Sequence, residues 1–311
     1  MTAIPFSLEA VCGCVPSTVV DNRALLAELV GAAKADAIVK STGFPFRRAA
    51  APGSTVYDLA LPAASRALEG IAPATLGGVV AVSFSAPDRF PAVAVRLHRA
   101  LGLPSDAAAF DLSLACSGYP YGLLAAAQLA SASGKRVLLV DGDVQSSHVD
   151  TSDANTLAVM SDAATATLLA PGGGPASFAF LTDGTGADVL RCGPDGKIRM
   201  DGFGVFRFVA GPVSQFLKEV CAAAAAPPDL FIPHQANMYM VRQLAKSLGL
   251  EAQLRTSGER FANPGSCSVP LTLASTEGTG RALLAGFGAG LSAAAAFVDV
   301  PSTLRRSLVE A

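Results

Sequence analysis

The feature that most limits how this chain can fold is an alternation of short apolar runs with Ala- and Leu-rich stretches of helical length. Residues 78–83, 137–140, 164–169 and 230–232 read as strands, and residues 54–69, 90–101, 118–131, 213–226 and 236–248 read as helices. Apart from Ser83, Thr165 and Thr167 the strand runs are apolar, as expected of strands buried on both faces. The pattern predicts an α/β body with well-covered sheets. Residues 170–175, Ala-Pro-Gly-Gly-Gly-Pro, are expected to end any regular element, and a boundary placed there divides the chain into halves of residues 1–170 and 171–311. The halves echo one another. Residues 109–143 and 260–290 each read as strand, polar turn, helix, Gly with a basic residue, and strand.

Composition narrows the function classes. Apolar residues are 51% of the 311 and charged residues 15%, enough for a large core. The 23 basic and 25 acidic residues give a net charge of -2, which excludes a broad cationic surface for nucleic acid or anionic lipid. No Lys or Arg precedes the first apolar stretch, so no secretory leader is expected and a cytoplasmic location is. Residues 282–298 carry no charge, but their Gly-Phe-Gly-Ala-Gly centre suits a tight turn between two buried strands, not a membrane span. The six cysteines show no Cys-x-x-Cys spacing, so they read as reduced thiols. Cys12-Gly13-Cys14 is taken as buried strand residues beside a turn, and no metal site is expected.

Three polar residues stand where apolar runs give way to helices. Cys116 follows residues 109–115 and precedes Ser117-Gly118; a thiol at such a turn faces helix N–H groups, a setting that lowers a cysteine pKa from about 8.5 to roughly 3.5–7.5. His234 follows Phe231-Ile232-Pro233, while His98 falls on a helix face and His148 in a polar loop. Asn263 follows Arg260-Phe261-Ala262 and precedes Pro264-Gly265. A nucleophile, an imidazole and an amide donor can converge at one sheet edge; helix capping is the plainer role for His234 and Asn263.

Residues 111–118 (Asp-Leu-Ser-Leu-Ala-Cys-Ser-Gly), 233–237 (Pro-His-Gln-Ala-Asn) and 263–270 (Asn-Pro-Gly-Ser-Cys-Ser-Val-Pro) closely resemble, in order and spacing, the three signatures of the ketoacyl-ACP synthase III family. Residues 38–44, 50–53 and 287–290 extend the likeness over nearly the whole chain. The resemblance implies a thiolase fold, five-layered αβαβα from two similar halves, the first carrying the nucleophile and the second His234 and Asn263. It implies a homodimer acting on acyl and malonyl thioesters, with an acyl carrier protein as partner and no cofactor or metal. Cys116 would carry the acyl group, and His234 with Asn263 would bind the malonyl carbonyl during decarboxylative condensation. The backbone N–H groups of Cys116 and Ala289 would form the oxyanion hole. Thr42, Asn237, Phe206 and Phe287 would contact substrate, Phe90 would reach across the dimer to the partner's acyl pocket, and Arg207, Arg242 and Lys246 would dock the carrier protein.

The departures from the family carry information too. Where its housekeeping members stack the CoA adenine between Trp and Arg, this chain has Ala37 and Ser147, and Ser41 replaces a further Arg. That loss favours a carrier-bound donor and a specialised fatty-acid or polyketide pathway. An alternative on the same fold is acyl transfer to an alcohol or amine, but relatives that do this resemble one another in having an acid in place of Asn, and Asn263 is intact. A papain-like hydrolase shares the Cys–His–Asn order but lacks its local strings here, and a silent partner subunit would lack the nucleophile.

Overall fold

A computed structural model describes residues 2–311. Nine strands join in one mixed sheet system: β1 Thr2–Val15, β2 Leu76–Val82, β3 Ala108–Leu112, β4 Arg136–Val144, β5 Asp162–Thr182, β6 Leu230–Pro233, β7 Gly280–Gly288, β8 Ser292–Val300 and β9 Arg305–Glu310. The path runs β6-β7-β8-β5-β4-β2-β3, and β1 pairs with both β5 and β9. The long strand β5 serves two sheets. Its first part pairs with β4 and the end of β1, and its second part pairs with β8 and the start of β1.

The expected end of an element at residues 170–175 is corrected here. Pro171 pairs with Phe6 and Pro175 with Pro5, so residues 172–174 are extruded as a bulge and the strand continues beyond them. Gly172 and Gly173 take φ of 83° and 97°, which lets the backbone make the excursion. Proline and glycine interrupt the ladder locally, and pairing on both sides carries the strand through.

Alternate side chains along each strand separate the layers. Ala282 and Leu284 of β7 face a core shared with α3 (Gly118–Ser133) and α7 (Ser268–Ser275), whereas Leu283, Ala285 and Phe287 face the opposite side. That opposite side is covered by α4 (Gly202–Phe208), α5 (Ser214–Ala222) and α6 (Met238–Leu248). On the first sheet, Val80 and Val82 face the shared core, and Val79 and Ala81 face α1 (Val56–Ala67) and α2 (Val93–Ala100). Helices, sheet, helices, sheet, helices follow in that order, giving five layers.

Residues 282–298 form a hairpin of buried strands, β7 pairing antiparallel with β8. No helix among the described residues is long and apolar enough to cross a membrane. Cys12 and Cys14 are buried strand residues near the end of β1, which stops at Val15.

Candidate active site

The site assembles at the C-terminal ends of parallel strands, where loops lead into the central helices. Cys116 lies between β3 and α3, and His234 directly follows β6, its N–H donating to the Ala285 carbonyl at 2.7 Å. Strand β7 passes so close beneath the cysteine turn that a Cβ on Gly288 would lie 2.7 Å from Cys116 Cβ. One on Gly286 would lie 2.9 Å from the Cys116 carbonyl oxygen. Only glycine permits that approach.

Asn263 is positioned differently from the sequence reading. Residues Gly258–Phe261 form a short helix, not a strand, and Ala262 takes φ of 50°, the one positive φ on a non-glycine residue among those described. Backbone bonds hold it there. Asn263 N–H donates to the Val159 carbonyl at 3.1 Å, and Ser161 N–H donates to the Asn263 carbonyl at 3.0 Å. Its side-chain oxygen accepts the Gly265 N–H at 2.9 Å, which leaves the amide nitrogen facing the Ala236 carbonyl at 3.5 Å on the cavity wall.

One cavity of about 280 Å³ is lined by Cys116, His234 and Asn263, together with Thr42, Phe206, Asn237 and Phe287. Cys116 is 8% exposed, His234 1% and Asn263 5%. The His234 ring meets Phe287 edge-on, with centroids 5.5 Å apart. Its Nδ1 lies 2.8 Å from Ser268 Oγ, which already accepts the Gln235 N–H at 3.2 Å. With the Ser268 hydrogen assigned to Nδ1, the proton of the neutral ring is on Nε2. Burial pushes the imidazole down to about 4, opposed by the Gly265 backbone, so the ring is neutral near pH 7.

The Cys116 thiol departs from expectation. Burial pushes it up to about 11; the N–H groups of Ala289 and of Cys116 itself oppose the rise, and the Asp143 and Asp141 carboxyls add to it. The helix end supplies less than its position promised, because the Gly118 N–H is already bonded to the Ala115 carbonyl at 2.7 Å. Asp141 and Asp143 are fully buried on β4, and Asp143 is itself pushed up to about 7 by burial despite bonds from Ser85, Ser83 and Phe84.

The remaining predicted residues have mixed placements. Asn237 accepts the Met240 N–H at 2.8 Å as the cap of α6, so its side chain both lines the cavity and starts a helix. Phe90 stands 86% exposed and lines neither this cavity nor the smaller one behind Cys116. Arg207, Arg242 and Lys246 are exposed; Arg242 pairs with Glu259 at 2.9 Å, and Arg207 lies over the Phe203 ring. Ala37, Ser41 and Ser147 are exposed, and Ser41 reaches the cavity wall. Ser268, Gly286 and Gly288 were not singled out from the sequence, although all three lie in or beside the quoted signature strings.

Residues 110–188 match 3-Oxoacyl-[acyl-carrier-protein (ACP)] synthase III, and residues 224–300 match its C-terminal part. A Beta-ketoacyl-[acyl-carrier-protein] synthase III 2 of Streptomyces coelicolor is 35% identical over 298 residues, covering 90% of this chain and 89% of the relative. The chain belongs to the 3-oxoacyl-ACP synthase III family. Among solved members, a 3-oxoacyl-(acyl-carrier protein) synthase from Burkholderia xenovorans superposes with a TM-score of 0.94 at 29% identity, over 99% of this chain and 98% of that one. The priming beta-ketosynthase of the R1128 polyketide pathway superposes with a TM-score of 0.86 at 29% identity, over 96% and 98%. The five layers inferred from the cores are thus the layers of the synthase III fold.

Proposed function

We propose that the protein condenses an acyl group held on Cys116 with a malonyl thioester, as a priming enzyme of fatty-acid or polyketide synthesis. The observation that carries this reading is the meeting of Cys116, His234 and Asn263 in one cavity, with Ala289 beside Cys116 in the adjoining one. In the first half-reaction the cysteine sulfur attacks the donor thioester carbonyl. A new S–C bond forms, the donor C–S bond breaks, and the leaving thiol takes the proton that Cys116 gives up. The N–H groups of Cys116 and Ala289 stabilise the tetrahedral oxyanion.

In the second half-reaction the malonyl thioester carbonyl accepts hydrogen bonds from His234 Nε2–H and the Asn263 amide. Carbon dioxide leaves with cleavage of the C–C bond, and the electron pair is held as an enolate against those two donors. Its carbon attacks the acyl-cysteine carbonyl, the Cys116 S–C bond breaks, and the thiol is restored on protonation. A neutral imidazole suits this role, since it donates without needing to lose a proton.

Intact-mass analysis after exposure to acyl donors, with separate measurement of carbon dioxide release from malonyl-ACP, tests the assignment. Cys116→Ser should show no acyl adduct. His234→Ala and Asn263→Ala should keep acylation within a few-fold while decarboxylation falls about 10²–10³-fold, the size expected for losing an oxyanion donor. Acylation followed by transfer to an alcohol or amine without carbon dioxide release would overturn condensation.

A further inference from the structure

A second, smaller cavity of about 100 Å³ lies on the other side of Cys116, walled by Phe84, Met160, Leu190 and Ile198. Of the polar side chains in its wall besides Cys116, Arg191 and Cys192 are exposed, with Arg191 paired to Asp188, and Gln145 alone is buried. Gln145, at the start of the turn Gln145–His148 after β4, is 3% exposed. Its amide nitrogen donates both hydrogens to backbone carbonyls, that of Ser161 at 2.8 Å and that of Asn263 at 2.7 Å. Carbonyl oxygens only accept, so the orientation of the amide is fixed: nitrogen towards them, Oε1 away from them. Oε1 has no protein donor among the described residues, yet it is not sealed off among the buried orphan atoms, so it keeps exposed surface at the cavity wall.

An acceptor held in place and left unpaired in an apolar chamber calls for a donor on whatever fills it. An ammonium group fits poorly, because it would be stripped of water to meet one neutral carbonyl. A hydroxyl supplies one hydrogen at little desolvation cost. A volume of about 100 Å³ suits a short chain of a few carbons. Taking the proposed acyl-Cys116 chemistry as its basis, we infer that Gln145 selects a short acyl group bearing a hydroxyl, so that the enzyme is primed by a hydroxyacyl thioester.

Loading follows the acylation step already given: the Cys116 S–C bond forms, the donor C–S bond breaks, and the released thiol carries the proton. The hydroxyl of the acyl chain donates to Gln145 Oε1 and stays intact.

Matched butyryl, 3-hydroxybutyryl and 4-hydroxybutyryl pantetheine thioesters, which carry neither adenine nor carrier protein, test this by the rate of mass gain at Cys116. One of the hydroxylated donors should acylate Cys116 about five- to tenfold faster than butyryl, the range of one buried hydrogen bond. Gln145→Leu should bring that ratio to about one or below. A loss of loop support would slow all donors alike and leave the ratio where it was, so the ratio separates recognition from structure. Equal wild-type rates, or a preference that survives Gln145→Leu, overturns this inference alone. The absence of any adduct at Cys116 overturns the acyl-cysteine reading and this inference with it.

Discussion

Burial holds the sulfur of Cys116 as a thiol near neutral pH. With its pKa pushed up to about 11 by burial, the resting side chain is almost wholly protonated at pH 7, and the thiolate fraction rises about tenfold per pH unit until the pKa is approached. Alkylation of Cys116 by iodoacetamide should follow that slope between pH 7 and 10 in the free enzyme. A rate already level across this range would mean that the Ala289 and Cys116 N–H groups and the helix end outweigh burial. His234 has the opposite sign. Its folded value of about 4 lies below the ordinary 6.5, so the stability it contributes is fully present above pH 6.5 and is lost as pH falls towards 4. His234 therefore adds nothing to the Cys116 slope, since the imidazole stays neutral across the alkylation range, whereas Asp143, pushed up to about 7, titrates at its lower end.

At the scale of elements, the close passage of β7 beneath the cysteine turn makes its glycines part of the active-site geometry. Gly288 has φ of 151° and no room for a Cβ beside Cys116. Gly288→Ala should displace the sulfur from the Ala289 N–H, slowing acylation about 10²–10³-fold and destabilising the fold by about 1–3 kcal/mol. Mass-resolved acylation rates with a thermal melt measure both; acylation at the wild-type rate would show that the turn yields without moving the sulfur. Cys116 and His234 were legible because strand, turn and helix leave local signals in apolar runs and in Gly and Pro. The support of Asn263 was not. Residues 258–261 wind into a helix, and the next residue is forced to positive φ by bonds to residues 159 and 161, about a hundred positions away. The bulge at residues 172–174 was hidden for the same reason, since only pairing with β1 shows that the strand resumes. Gln145 was passed over because a lone Gln after a strand carries no pattern, and its meaning comes from two carbonyls, one of them 118 residues distant.

At the scale of the whole molecule, we propose that the surface near the cavity selects which thioester arrives. Ala37 and Ser41 lie one turn apart on the helix Ala32–Thr42, and Ser147 is exposed on its own turn, so these positions present neither a ring nor a guanidinium to hold an adenine. Tyr239, 55% exposed and lining the same cavity, is the one aromatic ring at this mouth with more than half its surface free. On this proposal free CoA would keep little beyond its pantetheine arm, whereas an acidic carrier protein would dock on exposed cations such as Arg207, Arg242 and Lys246. Arg242 is partly neutralised by Glu259, which leaves Lys246 and Arg207 as the stronger contributors. We expect kcat/KM for an acyl-ACP to exceed that for the matched acyl-CoA by at least about tenfold at low salt, with the gap narrowing as added salt screens the encounter. Lys246→Glu should lower acyl-ACP turnover about three- to tenfold without affecting acyl-CoA, and Arg242→Glu should lower it at least as much, because it also leaves Glu259 unpaired beside a second carboxylate. Equal efficiency with the two donors, or a Lys246→Glu effect shared by both, would show that this surface does not choose the donor, and Tyr239 would then be the first side chain to test as a platform for the adenine.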